Sequence, residues 1–366
     1  MPATDVLFKP FSLKSLSLPN RVVMAPMTRS KSPEQIPNDQ VVAYYRARAA
    51  GGTGLILTEG TAPEHKGATN DVNIPHFYGK ESLAGWARVV EAVKAEGGHI
   101  MPQLWHQGVV RHPGTGPHPE APSMSPSGLA RKDKKVAEPM SDGDIADVIA
   151  GFASSARYAK ELGFDGVELH GAHGYLIDQY FWEGTNQRDD KYGGELPQRA
   201  TFAADIARAV RRETGPDFPI LLRFSQWKQQ DFAARLAHTP AELEAFLKPM
   251  IDAGVDIFHC STRRFWEPEF DGSDLNLAGW TKKLSGLPTI SVGSVSLNMD
   301  FITAFRQAGA EVSGIDRLIE MMERGDFDLI AVGRALIANP DWANKVKAGK
   351  LNELKPYTPE ILAELV

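Results

Sequence analysis

Phe164-Asp165-Gly166-Val167-Glu168-Leu169-His170-Gly171-Ala172-His173-Gly174-Tyr175 is a mostly apolar run that ends in two imidazoles and a phenol. An apolar run of this length reads as a buried strand, and polar rings emerging at its end read as chemistry rather than packing. The two histidines lie three apart and glycines flank the second, so a tight turn can aim both rings into one pocket while Tyr175 approaches from the side. Two neutral N–H donors can hold one carbonyl oxygen and stabilise negative charge developing on it. A tyrosine with a pKa near ~10 stays protonated at neutral pH and can donate a proton. Two other readings fit the same residues: half of a zinc site completed by Glu168 or Asp178, or histidines that are simply hydrogen-bonded within the structure.

Working outward, comparable apolar runs recur at Arg21 to Pro26, Gly54 to Thr58, His99 to Leu104, Gly166 to His170, Pro219 to Phe224, Asp256 to Cys260, Pro288 to Val292 and Asp328 to Val332. Amphipathic stretches separate them. Leu83, Trp86, Val89, Val90 and Val93 share one helical face that Gly97-Gly98 ends, and Ser141 with Asp144 forms a capping box ahead of Ile145, Val148, Ile149 and Phe152. Strand and helix alternating this regularly predict an α/β fold of parallel units, and eight units can close into a (β/α)8 TIM barrel. A doubly wound open sheet is the alternative. Phe8 to Leu18 predicts an N-terminal hairpin plugging the barrel's bottom. His106 to Met140, rich in Pro, Gly and Ser, predicts a long insertion after strand 3. Its Arg131, Lys132, Lys134 and Lys135 are expected to be solvated, or to steer an anionic cofactor.

The chain has 366 residues, 42% hydrophobic and 23% charged, as expected of one large globular domain spanning residues 1–366. A net charge of −6 argues against a nucleic-acid footprint, which needs clustered positive charge. One cysteine, Cys260, allows neither an internal disulfide nor a cysteine-ligated iron–sulfur cluster within one chain. No long apolar span or signal-peptide pattern is visible, so no membrane partner and a cytoplasmic location are expected.

Polar residues sit at several predicted strand ends: Thr28 after the first, Gln103 in the third, His170 at the fourth, and Arg223 inside Ile220-Leu221-Leu222-Arg223-Phe224. In a barrel these ends converge on the face where active sites form. An arginine in an apolar strand is costly unless something anionic or strongly accepting meets it, or a structural ion pair holds it. A ring system with carbonyl acceptors would engage Thr28, Gln103 and Arg223 together. Ser291-Val292-Gly293-Ser294 and Ala331-Val332-Gly333-Arg334 place a glycine after each of the last two strands, where barrels often build a phosphate site, and Arg334 adds a charged fork. No G-x-G-x-x-G fingerprint occurs, so a Rossmann nicotinamide module is not supported. Arg263-Arg264-Phe265-Trp266-Glu267-Pro268 should overhang the same face, with Trp266 walling a substrate pocket and the arginines meeting the phosphates of a nicotinamide cofactor, or else packing as an ordinary loop.

Asn20-Arg21-Val22-Val23-Met24-Ala25-Pro26-Met27-Thr28-Arg29, Gln103-Leu104-Trp105-His106, His170 to Gln179, Asn186 to Gly194 and Gly333 to Asp341 together resemble the old yellow enzyme family, in order, from about Leu7 to Trp342. The resemblance implies an FMN-dependent ene-reductase on a TIM barrel. FMN would be tightly bound, and NADPH or NADH would be the transient hydride donor. By the same resemblance Pro26, Met27, Thr28, Gln103 and Arg223 surround the isoalloxazine, with Gly60 beneath it, and Gly293, Ser294, Gly333 and Arg334 hold its phosphate. His170 and His173 bind the oxygen of an α,β-unsaturated carbonyl or nitroalkene, flavin N5 gives hydride to the β-carbon, and Tyr175 protonates the α-carbon; no metal is implied. Thr28 is similar to the branch typified by the yeast enzymes rather than the branch with cysteine there. Three positions depart from the family pattern: Val109 replaces an arginine, Phe224-Ser225-Gln226-Trp227 replaces a Ser-Pro sequence, and Gly60 stands where an alanine is common. A redox-neutral FMN isomerase and a non-catalytic flavin carrier are the competing functions.

Overall fold

Eight short apolar strands can all satisfy their backbone groups only if no edge is left open, and closing the sheet on itself achieves that. The computed structural model describes residues 4–300, 303–304 and 309–365. An antiparallel hairpin of β1 (Phe11–Leu13) and β2 (Leu16–Leu18) precedes β3 (Val22–Met24), β4 (Leu55–Thr61) and β5 (Ile100–Leu104). After them come β6 (Leu129–Arg131), β7 (Lys134–Lys135), β8 (Val167–His173), β9 (Ile220–Lys228), β10 (Ile257–Ser261), β11 (Thr289–Val292) and β12 (Leu329–Val332). Strands β3, β4, β5, β8, β9, β10, β11 and β12 pair in that order, all parallel, and β12 closes onto β3. The closed TIM barrel excludes the open doubly wound sheet.

Every expected barrel strand is present, but four run further than their apolar pattern: β4 to Thr61, β8 to His173, β9 to Lys228 and, by one residue, β10 to Ser261. The register of β4 on β5 shifts between Leu57 and Gly60, and that of β8 on β9 between Gly171 and His173. An irregularity of this kind lets pairing continue while side chains change direction, so periodicity fades before the strand does.

Side chains two apart on a strand face the same way. Met101, Leu221 and Ile257 fill the barrel's interior with Val23, Leu55, Leu57, Ile290 and Leu329, and Leu16 and Leu18 of the hairpin join that cluster, plugging the bottom as expected. Two residues further on, Gln103, Arg223 and His259 succeed Met101, Leu221 and Ile257, so the interior turns polar at the strands' C-terminal ends.

Outside, α1 (Asp39–Ala50) starts on the Asn38 side chain, which accepts from Gln40 N and Val41 N. Helix α2 (Lys80–Ala95) buries Trp86, Val89, Val90 and Val93, and α3 (Asp142–Glu161) carries the expected Ser141–Asp144 capping box. The insertion after β5 is knotted down by buried Arg111, which donates to the carbonyls of Thr69 (3.2 Å), Ala121 (2.6 Å) and Thr115 (3.1 Å). Its tip is the β6–β7 hairpin with Arg131, Lys132, Lys134 and Lys135 exposed. Among the described residues no helix is long and apolar enough to cross a membrane.

Candidate active site

The C-terminal ends of the strands surround a cavity of about 410 Å³. Pro26, Met27 and Thr28 enter it from the end of β3, Gln103 from β5, His170 and His173 from β8, Arg223 from β9, Gly293 and Ser294 after β11, and Gly333 and Arg334 after β12. Tyr175 completes the set.

A sharp turn brings Tyr175 back over the histidines. His173 and Gly174 are both left-handed, at φ 65° and 80°. Two successive left-handed residues reverse the chain, which favours glycine at the second. The turn is held from below, where Asp178, in α4 (Leu176–Phe181), accepts from Gly174 N at 2.7 Å and from Lys228 Nζ at 2.7 Å. Gln179 and Gln230 both donate to the Gly174 carbonyl, at 2.8 and 3.0 Å. Asp178 and Lys228 are completely buried; burial pushes the carboxyl up to about 6 and the amine down, and they face each other as an ion pair. The result sets His170 edge-on to both other rings, to His173 at 5.1 Å between centroids and to Tyr175 at 5.2 Å.

Burial, reinforced by the Arg223 guanidinium, holds both histidines well below the ordinary imidazole pKa. They are neutral at pH 7, each with one N–H to offer and no charge. Ser261 Oγ accepts from Arg223 Nη2 at 3.3 Å and is hydrogen-bonded to His173 Nε2 at 2.8 Å; when the serine donates that bond, the ring's single proton sits on Nδ1. Burial raises the Tyr175 pKa, partly offset by Gln229 Nε2 donating to the phenol oxygen at 3.0 Å. A phenol that accepts there keeps its own hydrogen free for another partner. Beneath the rings, buried Glu168 accepts from Gln103 Nε2 and is bonded to His259 Nδ1, each at 2.7 Å.

At the other end of the cavity, Arg334 Nη2 donates to the Met299 carbonyl at 2.6 Å, with its guanidinium over the Tyr357 ring. Gly293 has φ 139°, and a Cβ there would lie 2.7 Å from the Thr262 carbonyl oxygen, so only glycine lets these two loops touch.

Two expected site residues lie off the cavity wall. Gly60 stands behind it: a Cβ at Gly60 would come 2.4 Å from the Trp105 ring, so its bareness seats Trp105, which does line the cavity. Trp266 packs against the core, edge-on to Phe265 at 5.1 Å; beside Trp105, the indole at the wall is Trp227, stacked on His173 at 4.6 Å. Sequence reasoning gave no role to Trp105, Trp227, Gln229, Ser261 or Tyr357. Trp227 was visible as a departure from the family's Ser-Pro sequence and Ser261 lay one residue beyond the expected strand Asp256 to Cys260, whereas nothing in the sequence ties Tyr357 to the site. The carboxylates a zinc reading requires, Glu168 and Asp178, are turned to Gln103, His259, Lys228 and Gly174 instead.

The donor set fits FMN. Arg223 Nε and Trp105 Nε1 are buried donors without a partner among the described residues. Unmet buried donors cost about 1–3 kcal/mol each, and a ring system bearing carbonyl acceptors would meet them. Gly293, Ser294, Gly333 and the Arg334 guanidinium line the same cavity, where a phosphate would lie.

A (β/α)8 barrel with this mouth defines a flavin-dependent oxidoreductase. The sequence matches the model of the NADH:flavin oxidoreductase / NADH oxidase family over residues 6–353, and the chain belongs to that family, the old yellow enzymes; FMN is its cofactor. It is 33% identical over 95% of its length to a NADH oxidase of Thermoanaerobacter brockii, of which it spans only about half (52%). Against a putative 12-oxophytodienoate reductase-like protein of Arabidopsis thaliana it is 32% identical, over 90% of this chain and 96% of that one. The solved structure of a morphinone reductase superposes with a TM-score of 0.78 at 29% identity, covering 97% of this chain and 92% of the other.

Proposed function

We propose that the chain is an ene-reductase acting on α,β-unsaturated carbonyl compounds or nitroalkenes, with FMN, when bound, relaying hydride from NADPH or NADH to the alkene β-carbon. The observation that carries this reading is the convergence of His170, His173 and Tyr175 on one rim of the cavity that also holds Arg223. Pro26, Met27, Thr28, Gln103 and Arg223 would hold the ring, Gly60 would support it through Trp105, and Gly293, Ser294, Gly333 and Arg334 would hold the phosphate.

The rest is the work of side chains. The neutral N–H groups of His170 and His173 grip the substrate's oxygen and stabilise charge that builds there as the β-carbon is reduced. Tyr175 gives its hydrogen to the α-carbon, and the Gln229 amide steadies the phenolate left behind. Arg223 supplies positive charge beside the ring, which favours its electron-rich form. Thr28 at the ring's edge supports the threonine branch of the family. The same reading treats residues 1–366 as one FMN-binding domain working in the cytoplasm, where nicotinamide nucleotides are at hand.

The test is anaerobic. The yellow protein should bleach with NADPH and recover its colour on addition of 2-cyclohexenone. Tyr175→Phe should bleach as fast as the wild type yet recover at least a hundredfold more slowly, because general acid catalysis contributes about 10²–10⁴ in rate. Equal loss in both halves would remove Tyr175 as the acid. Bleaching that no activated alkene reverses would favour the isomerase, and a protein that neither holds nor takes up FMN would end the reading.

A further inference from the structure

A second cavity of about 270 Å³ lies against the first and shares Trp227, Ser261, Thr262 and Arg263 with it as a common wall. Three arginines and two glutamates face it, and most of that charge is already matched. Arg235 is held by Glu269, and Arg264 by Glu267 at 2.9 Å and Asp300 at 2.7 Å. Arg263 is different: its side chain has no hydrogen-bond or ion-pair partner among the described residues. Its backbone is nonetheless fixed, since Ser294 Oγ donates to its carbonyl at 2.9 Å and Phe265 N to Gly293 O at 3.1 Å. A guanidinium on a pinned backbone, facing two adjoining cavities and paired with neither glutamate of the outer one, is placed to receive an anion.

The outer cavity also carries an aromatic face. Phe232 is one of three large hydrophobic residues left exposed among the described residues, at 44%, and it leans on Trp227 with ring centroids 5.9 Å apart. Trp227 in turn stacks on His173. A continuous path thus runs from the histidine pair, over Trp227, to a charged and aromatic outer pocket.

We propose that Arg263 is the binding site for the pyrophosphate of the nicotinamide nucleotide, whose adenine lies on Phe232 in the outer cavity. The proposal rests on the ene-reductase reading. Arg263 then sets affinity for the hydride donor without touching the alkene chemistry. The carboxylate of an acidic alkene would offer the same anionic chemistry, so the experiment separates the two sources.

Flavin reduction by NADH, NADPH and the phosphate-free 1-benzyl-1,4-dihydronicotinamide would be followed by stopped flow in the holoenzyme and its Arg263→Gln variant. Binding of ADP-ribose to both would be measured by calorimetry. Arg263→Gln should weaken NADH, NADPH and ADP-ribose about tenfold, the scale of one charged hydrogen-bonded contact, and leave the phosphate-free donor unchanged. Arg263→Lys should recover part of the loss, and Phe232→Ala should weaken ADP-ribose but not the phosphate-free donor. Unchanged nucleotide affinity in a folded Arg263→Gln protein overturns the proposal. So does a defect confined to re-oxidation by a carboxylated alkene with 2-cyclohexenone unaffected, which would assign Arg263 to the substrate. Failure of the wild type to be reduced even by the phosphate-free donor would instead sink the ene-reductase reading beneath it.

Discussion

Glu59 shows how much one buried side chain can govern. It lies fully buried in β4, and its carboxylate accepts from the backbone N–H of Arg29 and of Ser30, both at 3.0 Å, which pins the chain just beyond Thr28. Burial outweighs those two bonds and pushes its pKa up to about 7 from the ordinary 4.5. A carboxyl whose folded pKa is raised holds its proton in the native state while the unfolded chain has lost it. Stability therefore falls as pH rises from about 4.5 to 7, and the full cost stands above that. Two and a half units correspond to about 3 kcal/mol. Glu59→Gln should gain on the wild type by up to that amount between pH 4.5 and pH 7.5 in urea unfolding; a constant difference across this range would show that Glu59 titrates normally. Glu59 was legible in the sequence only as the neighbour of an unusual glycine. Its burial and its grip on residues 29 and 30 depend on a strand and a loop meeting, which no local pattern encodes.

At the scale of elements, the turn between β8 and α4 shows what the sequence announces and what it conceals. The His-x-x-His-Gly-Tyr spacing made a tight turn foreseeable. Its foundation, the Asp178–Lys228 pair, joins residues fifty apart and lies at 0% exposure on both sides. Removing one partner of such a pair leaves an uncompensated buried charge, which costs about 3–5 kcal/mol. Lys228→Met should lose stability on that scale by chemical denaturation, and the loosened turn should slow the alkene half-reaction more than flavin reduction. A loss below about 1 kcal/mol would mean that the pair carries little of the turn. The capping box of α3 was readable because Ser141 and Asp144 are three apart, so their bonds are local. The extra residues of β4, β8 and β9 were not, because pairing past an irregularity is decided by the neighbouring strand.

For the molecule as a whole, the barrel joins an apolar interior to a mouth lined by polar side chains. FMN that binds the folded chain and not the unfolded one must stabilise it by mass action, by about 2.7 kcal/mol at a hundredfold excess over Kd. Stripping FMN should lower the unfolding temperature, and adding it back should restore that temperature in proportion to the logarithm of its concentration; an unfolding temperature blind to FMN would contradict the site. The sequence by itself determined the eight strands, the hairpin plug, the helix caps and the polar residues at strand ends, because each depends on periodicity and neighbours within a few positions. It placed His170, His173, Tyr175, Gln103 and Arg223 at one mouth as soon as the strands were taken to close. Only the tertiary structure decided that Trp227 and not Trp266 forms the wall, that Gly60 acts through Trp105, that Tyr357 reaches the site from near the end of the described chain, and that Arg263, unlike Arg235 and Arg264, has no side-chain partner among the described residues. Those outcomes turn on which loop meets which and on where a side chain points past a strand irregularity, and both are fixed by contacts between residues far apart in the chain.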